Sequence, residues 1–184
     1  MQNCLQTQGQ SIYQHGLSVK EHYFDLLFML KENTALPGWR LPEWFFQYRE
    51  QILNILLPED IVKEYLIFHD CGKPYCLLID EEGGRHFPNH ADKSYDIWLK
   101  VGGNIQAAKL MKMDMLIHKM KAVDIDQFIK NPEAITLLLS GLAETHSNAK
   151  MFGGIESESF KIKWNQINKR GKVICNKLFN TKEK

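Results

Sequence analysis

Of the seven histidines in this 184-residue chain, several fall where a helical repeat turns them inward. His22 shares a face with Val19, Leu26 and Met29, and His69 follows Tyr65 by four residues and Leu66 by three, with Asp70 immediately after. His90 stands at the head of a later helix. Asp114 and His118 are four apart, a spacing at which helical side chains meet, and His146 continues the face of Ile135, Leu139 and Leu142. A lone histidine on such a face is ordinarily a hydrogen-bonded core residue. Ionisable groups on the inner stripes of five helices are another matter, because each costs on the order of several kcal/mol unless hydrogen-bonded or ligated. Metal ligation meets that cost. Neutral imidazoles with carboxylates suit Mn, Ni, Co, Fe or Zn, and the absence of C-x-x-C pairs argues against a structural zinc.

The elements that must position these groups are helical. Ser18-Val19-Lys20-Glu21 has the spacing of a capping box, so a first helix is expected from about Ser18 to Lys31. Pro37-Gly38 marks a linker, and Pro42 to Leu57 reads as a second helix. A third runs from about Asp60 to Asp70, stopped by Gly72 and Pro74. Tyr75 to Ile79 and Arg85 to Phe87, around Asp80 to Gly84, read as a small hairpin. Asn89 is expected to cap a fourth helix ending at Gly102-Gly103, and Asn104 a fifth to about Met120. A long apolar helix follows from Pro132 to about Met151, and a last one begins at Ser157 or Ser159. The expectation is an all-α protein of one domain, residues 1–184, with its core at about 18–151 and a basic C-terminal helix at about 157–180.

The run His69-Asp70-Cys71-Gly72-Lys73-Pro74, preceded by His22 and followed by His90, resembles the HD-domain metal-dependent phosphohydrolase superfamily in its HDxGK form. The resemblance implies a helical HD-domain bundle with the hairpin inserted after the motif and one or two divalent transition metals as cofactor. It implies His22, His69 and Asp70 as metal ligands, Asp70 in the bridging position, His90 as the additional histidine of two-metal members, and Lys73 as a fixed cation facing a phosphate oxygen. The chain departs from the family further on. Asp114 stands where a histidine is usual, with His118 one turn later, and the helix that normally carries the closing aspartate offers His146 or Glu144. Three readings stay open: Asp114 completes the site, His146 replaces the aspartate, or the site is degenerate. His118 or His146 would then act beyond the metal as hydrogen-bond donors to the phosphate or the leaving oxygen.

The activity so implied is release of phosphate from a nucleotide or nucleic-acid end by metal-activated water. The alternatives are a phosphodiesterase of cyclic nucleotides or cyclic oligonucleotides, and a non-catalytic nucleotide or RNA binder. No Walker loop is present, which removes P-loop ATP hydrolysis.

The charge distribution bears on the substrate. The whole chain sums to +1, but residues 160–184 carry +7 and the first 159 carry −6. The basic segment interleaves its lysines with Phe160, Trp164 and Phe179, a composition suited to phosphate-backbone contact with base stacking. It equally suits an amphipathic helix with its aromatics in the core and its lysines in water. No apolar stretch approaches the roughly 18 residues of a membrane span, Met1 to Gln10 has no secretory-signal pattern, and Cys4, Cys71, Cys76 and Cys175 do not form a disulfide framework. A cytoplasmic protein without a membrane partner is expected.

Overall fold

Ser11 and Gln14 open the first helix. The Ser11 hydroxyl accepts from the Gln14 N–H at 3.1 Å while the Gln14 side chain accepts from the Ser11 N–H at 2.9 Å, a reciprocal capping box. In the computed structural model, which describes residues 1–7 and 9–180, helix α1 therefore spans Ile12–Glu32 and starts two turns before the Ser18 expected from sequence. Lys182, Glu183 and Lys184 of the basic tail lie outside the described residues. The chain is mostly helical, and its contacts divide it into two compact units. The first unit is Met1–Lys20 with Pro58–Met115, and the second is Glu21–Leu57 with Leu116–Lys184.

In the first unit, β1 (Leu5–Thr7) pairs antiparallel with β2 (Gln10–Ser11) ahead of α1. Helix α4 (Glu59–Phe68) buries Ile61, Val62, Tyr65 and Leu66. Its contact with α1 depends on Gly16, where a Cβ would stand 2.2 Å from the Ile67 carbonyl oxygen. Beyond α4 come His69 and Asp70, then a 3-10 turn at Lys73–Tyr75. The expected hairpin is present as β3 (Leu78–Ile79) against β4 (Arg85–His86), with Leu78 opposite His86. Helix α5 (His90–Lys100) follows; Asn89 precedes it in the left-handed region, φ 55°, and its side chain makes no capping bond. Asn104 does cap α6 (Ile105–Met113), accepting from the N–H groups of Gln106 and Ala107. The expected fifth helix stops there, since Asp114 is the C-cap of α6.

In the second unit, Tyr48 interrupts the expected Pro42–Leu57 helix, leaving α2 (Glu43–Gln47) and α3 (Arg49–Ile55). The short helices α7 (Leu116–Lys119) and α8 (Ile125–Phe128) lead into α9 (Ala134–Ser147), which is buried along almost its whole length. Helix α10 (Glu158–Phe179), capped by Ser157, packs on α9. It turns Phe160, Trp164, Ile167 and Ile174 into the core, and Gly171 lets it approach Trp44, whose ring would meet a Cβ there at 2.4 Å. Among the described residues, no helix is long and apolar enough to cross a membrane.

Candidate metal centre

The first unit gathers His15, His69 and Asp70, with one ligand atom from each lying within 4.8 Å of the others and all three residues buried. Their supports are local. Helix α1 brings His15, held close to α4 by Gly16. His69 and Asp70 leave the end of α4 in a turn closed by the Cys71 N–H on the Phe68 carbonyl at 2.9 Å and the Lys73 N–H on the Asp70 carbonyl at 3.0 Å. Gly72 presses this turn onto α5. Its N–H donates to the Ser94 hydroxyl at 2.9 Å, and a Cβ would lie 2.5 Å from both the His90 carbonyl oxygen and the Ser94 nitrogen. The glycine of the motif is thus what admits His90.

Asp70 sits at the centre. His69 Nε2 is 3.3 Å and His15 Nε2 3.8 Å from its Oδ2, and His90 Nε2 is 3.5 Å from its Oδ1. Lys73 Nζ donates to Oδ2 at 2.6 Å and to Gln6 Oε1 at 2.8 Å. Burial alone would raise the Asp70 pKa, but the charges of His69, Lys73 and His15, with a hydrogen bond from His69, outweigh it and hold the carboxyl well below the usual carboxylate range.

The tautomers follow from the neighbours. His69 Nδ1 lies 2.8 Å from the Leu66 carbonyl and His90 Nδ1 2.8 Å from the Phe87 carbonyl; a carbonyl only accepts, so both Nδ1 atoms carry hydrogen. A protonated His69 donates from Nε2 to Asp70, whereas in the neutral rings that a metal requires each Nε2 is a lone pair turned toward a carboxylate. Lys73 meets the carboxylate alone, and a metal fits between the carboxylate and the ring nitrogens, since ligand atoms sharing an ion at about 2.1 Å stand roughly 3 to 4 Å apart. Backbone carbonyls orienting the far nitrogen are the usual support of metal-ligating histidine. The trio could therefore hold a metal ion.

No family model, curated protein or solved structure matches the chain. The geometry itself carries the functional reading.

Of the residues expected from sequence, His69, Asp70, Lys73 and His90 come together. His22 belongs to the second unit, whereas His15, seven residues earlier on α1, lies with His69 and Asp70. The signal that would have found His15 is the S-x-x-Q capping spacing of Ser11 and Gln14. Asp114 is buried in the first unit but outside the trio, accepting from the Tyr65 hydroxyl at 2.5 Å, and the Tyr65 ring stands edge-on to His69 with centroids 6.3 Å apart. Because α6 ends at Asp114, this residue and His118 do not share the continuous helical face expected of them.

The remaining candidates belong to the second unit. His118 on α7 pairs with Glu144 on α9, Nε2 to Oε2 at 2.8 Å. His146 donates from Nδ1 to the Leu142 carbonyl at 2.9 Å and accepts the Arg40 N–H on Nε2 at 3.2 Å. It stacks on Trp39 with centroids 4.3 Å apart, and Phe160 stands edge-on to it at 5.2 Å. Burial, followed by the neighbouring His22, pushes its pKa down to about 4. With both nitrogens committed, His146 has no lone pair to offer a metal. His22 packs against Trp39 at 5.6 Å. The aromatics of the basic segment are likewise occupied, for Phe160 is 0% and Trp164 8% exposed, and Phe179 lies against Tyr48.

Proposed function

We propose that this chain is a metal-dependent phosphohydrolase of the HD type, releasing phosphate from a nucleotide or a nucleic-acid end. The observation that carries this reading is the convergence of the Nε2 atoms of His15, His69 and His90 on one buried aspartate with Lys73 beside it. His15, His69 and Asp70 would hold the ion, and His90 faces the second carboxylate oxygen, where another would bind. A bound divalent transition metal supplies Lewis acidity toward a phosphoryl oxygen and lowers the pKa of a water from 15.7 toward about 7.

The chain's own residues do the rest. The Leu66 and Phe87 carbonyls fix the tautomers of His69 and His90, so that neither ring has to reorient. Lys73 donates to Asp70 and Gln6 and lies over the Phe87 ring; beside a phosphate oxygen it would act as a fixed positive charge that stabilises the charge that develops. The surrounding apolar shell, including Tyr65 and Leu66, keeps bulk water from screening these charges.

The test is phosphate release by the full chain from mononucleotides, cyclic nucleotides and phosphate-ended oligonucleotides with Mn²⁺, Co²⁺ or Ni²⁺. Turnover lost in His15→Ala, His69→Ala and Asp70→Ala supports the reading, and no turnover across the panel overturns it. Mass spectrometry of the product separates a phosphomonoesterase from a phosphodiesterase, which leaves the monoester intact. A non-catalytic nucleotide or RNA binder is the second reading. What favours it is that, among the described residues, the cluster able to hold an ion consists of His15, His69 and Asp70 with no second carboxylate. Metal bound at full occupancy without turnover would select it.

A further inference from the structure

The second unit contains a pocket of about 430 Å³ between the α7–α8 segment and the last helix, and Lys119, Lys121, Lys169 and Arg170 line it together. Among the described residues, no aspartate or glutamate lines it. Four cations around one concavity with no carboxylate repel one another, and a protein usually relieves such repulsion with an interleaved acid. Elsewhere on the same helix this is done: Lys177 pairs with Asp126 at 2.6 Å and Lys161 with Glu158 at 3.4 Å.

Arg170 adds a second, independent observation. Its Nε donates to the Met120 carbonyl at 3.1 Å, which fixes the guanidinium plane. Its Nη1 is buried and, among the described residues, has no hydrogen-bond partner. A buried charge-bearing donor left without an acceptor is costly, and burial accordingly pushes the Arg170 pKa down. An anion in the pocket would meet the positive charge of Arg170 together with those of the three lysines, and a guanidinium presents paired N–H groups to a phosphate or carboxylate. Met120, Ile125 and Val173 give the lining an apolar share, and the volume falls within the roughly 300 to 1,000 Å³ of small-ligand sites.

We infer that this pocket binds a phosphate ester of mononucleotide size, with the phosphate at Arg170 and the lysines and the flat, less polar body on Met120, Ile125 and Val173. The site is built wholly from the second unit and stands whether or not the histidine–aspartate cluster is catalytic. It also narrows what the basic C-terminal segment does: the aromatics of α10 belong to the core, and its Lys169 and Arg170 join α7 and the segment after it in a defined concavity.

The test is calorimetric titration of the full chain, in EDTA and low salt, with AMP, adenosine and inorganic phosphate. AMP should bind saturably, more tightly than inorganic phosphate, and adenosine should bind at least about tenfold more weakly than AMP, as expected when one charged pairing is lost. Lys121→Glu and Lys169→Glu change exposed side chains and leave the fold intact by circular dichroism; each should weaken AMP by about tenfold or more. Arg170→Gln should do so as well, and the two lysine variants keep the inference testable if that substitution unfolds the protein. Three results overturn it: no saturable AMP binding, AMP binding that both lysine reversals leave unchanged, or AMP no tighter than inorganic phosphate. A 5′-phosphorylated oligonucleotide binding far more tightly than AMP, with the same variants weakening it, would also overturn it, in favour of a polynucleotide surface.

Discussion

The two units treat buried histidine in opposite ways. In the first, His69 and His90 each place one nitrogen on a backbone carbonyl and turn the other toward Asp70, with His15 facing the same carboxylate. In the second, His146 spends one nitrogen as donor and the other as acceptor on the backbone and stacks its faces among Trp39 and Phe160, while His118 meets Glu144. Burial alone therefore does not separate a ligand from a core histidine. What separates them is the destination of the second nitrogen: a carboxylate that other cations also approach, or a backbone N–H that uses up the lone pair.

The largest effect expected on this contrast comes from Asp70→Ala. It leaves Lys73 and three histidines facing a buried site without their common anion, and removing one partner of a buried charge set costs about 3 to 5 kcal/mol. Urea denaturation in EDTA should show a loss of that size. A change below about 1 kcal/mol, the range of a surface ion pair, would mean that Asp70 is not the centre of the cluster.

Next is acid sensitivity in the second unit. An unfolded histidine takes up its proton near pH 6.5, whereas folded His146 waits until about 4. Between those values the unfolded chain binds more protons, so stability is fully present above pH 6.5 and falls as the pH drops toward 4. The interval corresponds to about 3 kcal/mol. Asp70 has the opposite charge type, and its lowered pKa stabilises the fold above the ordinary carboxylate range and loses that contribution only below it. His146→Phe should lower stability overall, by removing the acceptor for the Arg40 N–H, and flatten the profile between pH 6.5 and 4. A profile as steep as the parent's would place the acid-sensitive group elsewhere.

How much of this was legible in the sequence depends on what a spacing can say. His69, Asp70, Lys73 and His90 came from the family resemblance of the contiguous His69–Pro74 run, while Gly72 reads from sequence as a helix stop and not as the point where two backbones meet. The hairpin and the Asn104 cap were legible locally. His15 was not, because His15 and His22 lie seven residues apart on one helix face, and choosing between them requires knowing where α1 meets α4. Periodicity placed His146 inward correctly but is blind to what an inward face touches, here Trp39 and the Arg40 N–H. The break at Asp114 also escaped a helical reading, since neither a glycine nor a proline marks it.

A metal titration sharpens the contrast at that ambiguous pair. An ion that binds only the folded chain stabilises it by about 2.7 kcal/mol at a hundred times its dissociation constant. Thermal melts with Mn²⁺, Co²⁺ or Ni²⁺ should show such a rise in the parent protein and in His22→Ala, and little or none in His15→Ala. If His22→Ala loses the rise and His15→Ala keeps it, the ligand assignment reverses.

The smallest effect is the most local. Ser11→Ala removes one half of the reciprocal cap that begins α1, and losing such a cap costs about 1 kcal/mol. The consequence should reach beyond stability, because the first turn of α1 that this cap secures carries His15. Fraying there gives the metal a ligand that is only partly in place, and affinity falls by the fraction of molecules in which the turn is formed. Ser11→Asp, which restores an acceptor for the Gln14 N–H, should recover both the melting temperature and the metal response. Recovery of the melting temperature alone would show that His15 is positioned by its contact with α4 at Gly16 rather than by the start of its own helix.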